Sequence, residues 1–181
     1  MARNLEVKAR LASPVAAARV ARRLGAVKTA PLYQTDTYFS VADGRLKLRE
    51  IRGHRSVLIF YRRPDERGTG GRWSVYTVVP VEHERNILRR LSLMYGVRVR
   101  VKKSRILFQL ENARIHIDRV KGLGAFLEFE VIEEKGRAQA NRLYQRLVKA
   151  FGIHEEETIA GSYADIMESA LASNALKSYI G

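Results

Sequence analysis

The stretch ARIHIDRVKGLGAFLEFEV, residues 113–131, decides the fold. Ile115 and Ile117 alternate with Arg114, His116 and Asp118, while Leu127, Phe129 and Val131 alternate with Glu128 and Glu130. A period of two puts successive side chains on opposite faces of a strand, so each half of the stretch has one apolar face and one charged face.

Outward from there the pattern recurs. Residues 4–11 set Leu5, Val7 and Ala9 against Asn4, Glu6 and Lys8, and residues 45–52 set Leu46 and Leu48 against Lys47 and Arg49. Further strands are predicted over 33–41, 56–62, 73–81, 97–103 and 125–132, and over 105–120 with a break near Glu111 and Asn112. Asp43-Gly44, Gly53 and the glycines of 68–71 are turn chemistry, and such short connections point to antiparallel hairpins. Residues 64–72 read as the most flexible loop.

Helices sit between the strands. Ser13 followed by Pro14 reads as an N-cap with proline in the first helical position, and Val15, Ala18, Ala21 and Leu24 form a stripe before Gly25. Three more are predicted over 84–95, 138–151 and 162–171.

A chain of 181 residues with 46% apolar and 29% charged residues is expected to fold as one domain over 1–181. It has no cysteine, which excludes disulfides and thiolate metal sites. No stretch approaches the roughly 18 uninterrupted apolar residues of a membrane span, so a cytoplasmic protein with no membrane partner is expected. The net charge of +14 attracts polyanions in general.

Alternation alone is met by an open sheet with its charged face in water. It is also met by a barrel turned inside out, with helices over an apolar outer face and the charges in the lumen. Sign separates along the chain: Glu6, Asp118, Glu128 and Glu130 come from the first and last strands, whereas Lys47, Arg49, Lys103 and Arg105 come from the middle. Closing the sheet would gather the carboxylates on one wall, where their repulsion calls for a divalent cation. Oxygen ligands suit Mg2+ or Mn2+, and the facing bases would hold phosphate oxygens.

The pieces NLEVKAR, YQTDTYF, GRLKLRE, ARIHIDRVKGLGAFLEFEV and IAGSYADIM, in that order, resemble the CYTH domain of the triphosphate tunnel metalloenzymes, in its class IV adenylyl cyclase-like branch. The resemblance runs from Asn4 to about Met167. It implies an α+β fold: an eight-stranded antiparallel closed β-barrel, or tunnel, with a polar lumen and flanking helices. It further implies a metal-dependent enzyme acting on a triphosphate-containing small molecule with Mg2+ or Mn2+. The reaction would convert ATP to cyclic AMP and pyrophosphate, or hydrolyse tripolyphosphate, thiamine triphosphate or a nucleoside triphosphate.

Residue by residue, Glu6 and Lys8 match the end of the family's opening Glu-x-Glu-x-Lys motif, with Asn4 at its first glutamate. The resemblance implies catalytic roles for Glu6, Lys8, Glu128 and Glu130, and metal ligation by Glu6, Asp118, Glu128 and Glu130. Substrate binding falls to Lys8, Lys47, Arg49, Arg62, Lys103, Arg105 and Arg114. Asn4 offers a carbonyl but no charge. His116 is inward by parity and reads as a satisfied polar histidine, Tyr163 as packing, and Arg98 and Arg100 as a solvated face. A binding module without catalysis is a second function class. Nucleic acid is not expected, since no RNP-type motif is present and clustered acids repel RNA. A homodimer stays open.

Overall fold

In chain order the elements are β1 (Ala2–Arg10), α1 (Pro14–Arg23), β2 (Val27–Lys28), β3 (Leu32–Phe39), β4 (Arg45–Ile51), β5 (Ser56–Arg62), β6 (Arg72–Val81), α2 (Glu84–Tyr95), β7 (Val97–Leu110), β8 (Ala113–Val120), β9 (Gly124–Ile132), α3 (Arg137–Phe151) and α4 (Tyr163–Ile180). The computed structural model describes residues 1–65 and 68–180, with side chains as far as residue 173. Strands follow the order β7-β3-β4-β5-β6-β1-β9-β8, and β8 returns to pair with β7. These eight strands close into an antiparallel barrel, which leaves no long free edge. The short β2 pairs beside the far end of β7.

Closure sends the two faces of each strand to different places. Leu5, Val7, Ile115, Ile117, Leu127, Phe129 and Val131 form the outer apolar face and pack with Ala17 and Ala21 of α1 and Leu143, Tyr144 and Leu147 of α3. Elsewhere on the barrel, Phe39, Leu48 and Val81 pack with Ile87, Leu88 and Leu91 of α2. Each such leucine or phenylalanine contributes about 1.5–3 kcal/mol when buried, so the outer shell supplies stability that a charged lumen does not. Ser13 Oγ caps α1 by accepting from the Ala16 N–H at 3.2 Å, and Pro14 stands in its first turn. Gly71, at φ +78, admits the chain over this core, because a Cβ there would lie 2.8 Å from Leu5 and 2.7 Å from the Tyr144 ring.

One end of the lumen is plugged. Tyr38, Val99, Val101, Val120 and Phe126 pack there against Tyr163 and Ala164 at the start of α4. Asp165 of α4 accepts hydrogen bonds from Arg45 at 3.0 Å and Arg98 at 2.8 Å, so Arg98 latches a helix instead of facing solvent alone.

Local differences from the sequence expectation have physical reasons. β7 is one strand of 14 residues where two segments were expected. Val99, Val101, Lys103 and Arg105 keep one parity and are all buried, and Ser104 retains ladder partners in Tyr33 and Arg119. β2 is too short to show an alternation, and α4 continues to Ile180 beyond the expected 171. Of the loop expected over 64–72, Arg72 already belongs to β6, and residues 66 and 67 lie outside the described residues. No helix among the described residues is long and apolar enough to cross a membrane.

Candidate functional site

Strand parity sets what faces the lumen. Asn4, Glu6 and Lys8 of β1, Arg114 and His116 of β8, and Glu128 and Glu130 of β9 border a cavity of about 260 Å³. Lys47 and Arg49 of β4, Lys103 and Arg105 of β7, and Arg63 just past β5 border it from the other strands. A wider groove of about 1200 Å³ outside the barrel, beside Arg52, Lys102 and Arg119, is open to solvent and does not gather buried charges of both signs.

The register places bases against acids. Lys8 stands opposite Glu128 and Glu6 opposite Glu130 across β1 and β9, while His116 faces Glu128 and Arg114 faces Glu130 across β8 and β9. Glu128 accepts from Lys8 Nζ and from Arg105 Nη2, the latter at 2.9 Å, and Glu6 accepts from Arg63. Burial opposes ionisation of Glu128, but Lys8, His116 and Arg105 hold its carboxyl well below the usual range. Glu6 moves the other way: burial raises it, with help from Glu128 and Glu130, in spite of Arg63. Burial and then Arg105 lower His116, against the neighbouring Glu130 and Glu128.

On the facing wall Asp36 of β3 organises the bases. It is 0% exposed and accepts from Arg49 Nε at 2.6 Å, Arg49 Nη2 at 2.7 Å, and Lys47 and Lys103 at 3.2 Å each. Burial would raise its carboxyl, yet Arg49, Lys103 and Lys47 hold it well below the usual range. Asp118 serves Arg105 in the same way, accepting from Nε at 2.7 Å and Nη2 at 2.6 Å, and from the Tyr163 hydroxyl at 2.9 Å. Burial opposes its ionisation, but Arg105 and Lys103 bring its carboxyl down to about 2. Buried ion pairs are often no better for stability than well-packed apolar groups. A lumen where cations outnumber carboxylates is therefore built for an anion.

The cavity brings together Glu6, Lys8, Lys47, Arg49, Lys103, Arg105, Arg114, Glu128 and Glu130. Asp118, expected as a metal ligand, does not border it and is engaged by Arg105 and Tyr163. Arg62, expected to bind substrate, does not border the cavity. Val57, Ile59 and Tyr61 face the cavity and the same parity continues to Arg63, while exposed Arg62 donates to Asp43 at 2.7 Å. Counting from Val57 would have found Arg63, and counting from Tyr38 within YQTDTYF would have turned Asp36 inward.

A divalent cation fits the opposite wall. Ligand atoms of His116, Glu128 and Glu130 lie within 4.8 Å of one another. Asn4 Oδ1 and His116 Nδ1 are buried without a hydrogen-bond partner among the described residues, so two neutral donors stand ready beside the carboxylates. Carboxylate, carbonyl and imidazole donors suit Mn2+ well and Mg2+ adequately.

The solved structures of similar shape carry the same architecture. The PH1012 protein of Pyrococcus horikoshii OT3 superposes with a TM-score of 0.77 at 22% identity, over 90% of this chain and 98% of that one. A proposed adenylate cyclase of Vibrio parahaemolyticus gives 0.73 at 20% identity, over 91% and 97%. The Pct1 RNA triphosphatase of Schizosaccharomyces pombe gives 0.50 at 12% identity, over 86% and 85%. At these identities the likeness is one of fold. No curated protein matches the sequence. The CYTH domain family model matches residues 2–163, which span every strand of the barrel and end at Tyr163 of the plug, and the chain belongs to the CYTH domain family.

Proposed function

We propose that this protein is a divalent-metal-dependent enzyme that cleaves the phosphoanhydride chain of a triphosphate held in the tunnel. One observation carries it: Lys47, Arg49, Lys103 and Arg105 share a cavity with His116, Glu128 and Glu130. The bases donate charge-assisted hydrogen bonds to phosphate oxygens, with Arg49 and Arg105 already oriented by Asp36 and Asp118. Lys8 and Arg63 sit between the walls, positioned by Glu128 and Glu6, and Arg114 extends the basic lining beside Glu130.

Asn4, His116, Glu128 and Glu130 would hold Mg2+ or Mn2+, and a cation bound there polarises a phosphoryl oxygen. The preset bases stabilise negative charge as it grows on the departing phosphate oxygens, without reorganising at that moment. The test is to incubate the purified protein with ATP, tripolyphosphate and thiamine triphosphate under Mg2+ and Mn2+ and identify the products. Cyclic AMP with pyrophosphate marks cyclisation, and orthophosphate marks hydrolysis. Tight binding of all three without turnover overturns the enzyme in favour of a binding module.

A further inference from the structure

The outer wall of the barrel carries a basic groove that the lumen does not use. α1 and α3 pack on the outer faces of β1, β8 and β9, and α2 packs around Phe39 and Leu48. Between these helices, outward side chains of β3, β4, β7 and β8 line the open groove of about 1200 Å³. The register lays them in rows. Arg119 stands opposite Ser104 and Ser104 opposite Tyr33, while the Arg52 N–H donates to the Tyr33 carbonyl at 3.0 Å. In the next row the Lys121 N–H donates to the Lys102 carbonyl at 2.9 Å, and Lys102 stands opposite Thr35.

Arg52, Lys102, Arg119 and Lys121 are exposed, and none of them has an ion pair among the described residues. Other surface arginines are matched, Arg55 by Glu82, Arg62 by Asp43 and Arg146 by Glu111. The groove's carboxylates among the described residues are Glu50 and Glu84, and Glu84 already accepts from Ser56 Oγ at 2.7 Å. Such unmatched charge attracts a polyanion. A second, independent observation selects which one. Tyr33 is 55% exposed amid these cations, with the Arg52 guanidinium 6.0 Å from its ring centroid. A membrane surface is held through a broad apolar face, and a protein partner through several apolar anchors. Tyr33 is the one large apolar side chain exposed among the described residues of this groove. A basic groove with an aromatic platform is what a single strand of nucleic acid uses, phosphates on the cations and a base on the ring.

We propose that the outer groove binds single-stranded nucleic acid without sequence preference, with phosphates on Arg52, Lys102, Arg119 and Lys121 and a base stacked on Tyr33. Clustered acids would repel such a strand, but closure of the barrel turns them inward. Glu6, Glu128 and Glu130 border the lumen, and Asp118 is 0% exposed. The groove lies on the other side of the sheet from the triphosphate site, so the two functions stand or fall separately.

Fluorescence anisotropy with a 3′-fluorescein oligouridylate tests it, the strand carrying a 5′-hydroxyl so that it offers the lumen no triphosphate. Between about 50 and about 200 mM salt, log Kd should rise with log salt at a slope of about 3, since each phosphate contact with a single strand contributes about 0.7. Lys102→Ala combined with Arg119→Ala should lower that slope by about 1.4 and weaken binding severalfold. Tyr33→Ala should weaken binding about fivefold or more and leave the slope unchanged, as the loss of a stacked base requires. These positions are exposed, so melting temperatures should match the wild type. Strand affinity that none of these variants changes overturns the proposal, and so does loss of binding in Arg63→Ala alone, which would put the strand in the lumen. Phosphatidylserine vesicles or polyglutamate bound more tightly than the strand at matched salt overturns it in favour of a membrane or an acidic protein.

Discussion

Arg49 is gripped by Asp36 through two parallel hydrogen bonds, Nε to Oδ1 at 2.6 Å and Nη2 to Oδ2 at 2.7 Å, and the same carboxylate receives Lys47 and Lys103. One buried anion thus fixes three cations that would otherwise repel one another. Asp36→Asn keeps the shape and removes the charge. It should cost about 3–5 kcal/mol in urea unfolding, the usual penalty for stranding a buried charge. Tripolyphosphate should raise the melting temperature of this variant more than that of the wild type, because the ligand replaces the missing anion. Unchanged stability would mean that Asp36 does not hold the wall together.

Arg62 and Arg63 are adjacent in sequence and opposite in place. Arg62 is exposed beside Asp43, whereas Arg63 borders the cavity and binds Glu6. Arg62→Ala should change stability by no more than about 0.5 kcal/mol and leave tripolyphosphate affinity alone. Arg63→Ala should weaken that affinity about tenfold or more, since a charged hydrogen bond is worth about 1.5–3 kcal/mol. The reverse pattern in calorimetry would return the substrate role to Arg62.

Acid should unfold the protein through its paired carboxylates. Asp36, Asp118 and Glu128 are all depressed in the folded state, from ordinary values of 3.8 for the aspartates and 4.5 for the glutamate. Their contribution is fully present above those ordinary values. It is lost as pH falls through the folded ones, which for Asp118 is about 2. Glu6 is raised, so its protonation favours the folded state as pH falls and softens the onset. Melting temperature should stay level from about pH 7 to about pH 5 and then drop steadily toward about pH 2. A stability maximum near pH 3 would contradict the depressed set.

Asn4 decides how the metal wall is charged. Its Oδ1 is buried and unpartnered among the described residues, close in sequence to Glu6 and at the same end of the barrel as Glu130. Asn4→Glu should tighten Mn2+ binding measured by electron paramagnetic resonance, and His116→Ala should weaken it. The wild type should bind Mn2+ more tightly than Mg2+, because an imidazole nitrogen joins the oxygens. Weaker Mn2+ binding by Asn4→Glu would mean that carboxylate repulsion dominates and that Asn4 is required as it is.

The alternation of Ile115, Ile117, Leu127 and Phe129 made strands legible, and the separation of Glu6, Glu128 and Glu130 from Lys47 and Arg49 made closure legible. Alternation could not say which face is core, since an open sheet and an inverted barrel present the same pattern to a reader of sequence. What stayed hidden were partnerships across the lumen. Asp118 reads as a metal ligand in sequence and acts as an anchor for Arg105, and Asp36, which nothing in the sequence singles out, anchors Arg49, because register and burial fix their neighbours. The family position two residues before Pro64 points to Arg62, whereas strand parity continued from Val57 points to Arg63.

A crystal structure of the protein with methylene-bridged tripolyphosphate and Mn2+ will show whether metal and phosphates share the lumen. The expected result is an anomalous Mn2+ peak among His116, Glu128 and Glu130, with phosphate oxygens on Lys47, Arg49, Lys103 and Arg105. Phosphates lying only in the outer groove beside Arg52, Lys102 and Arg119, with nothing bound in the lumen, would contradict it.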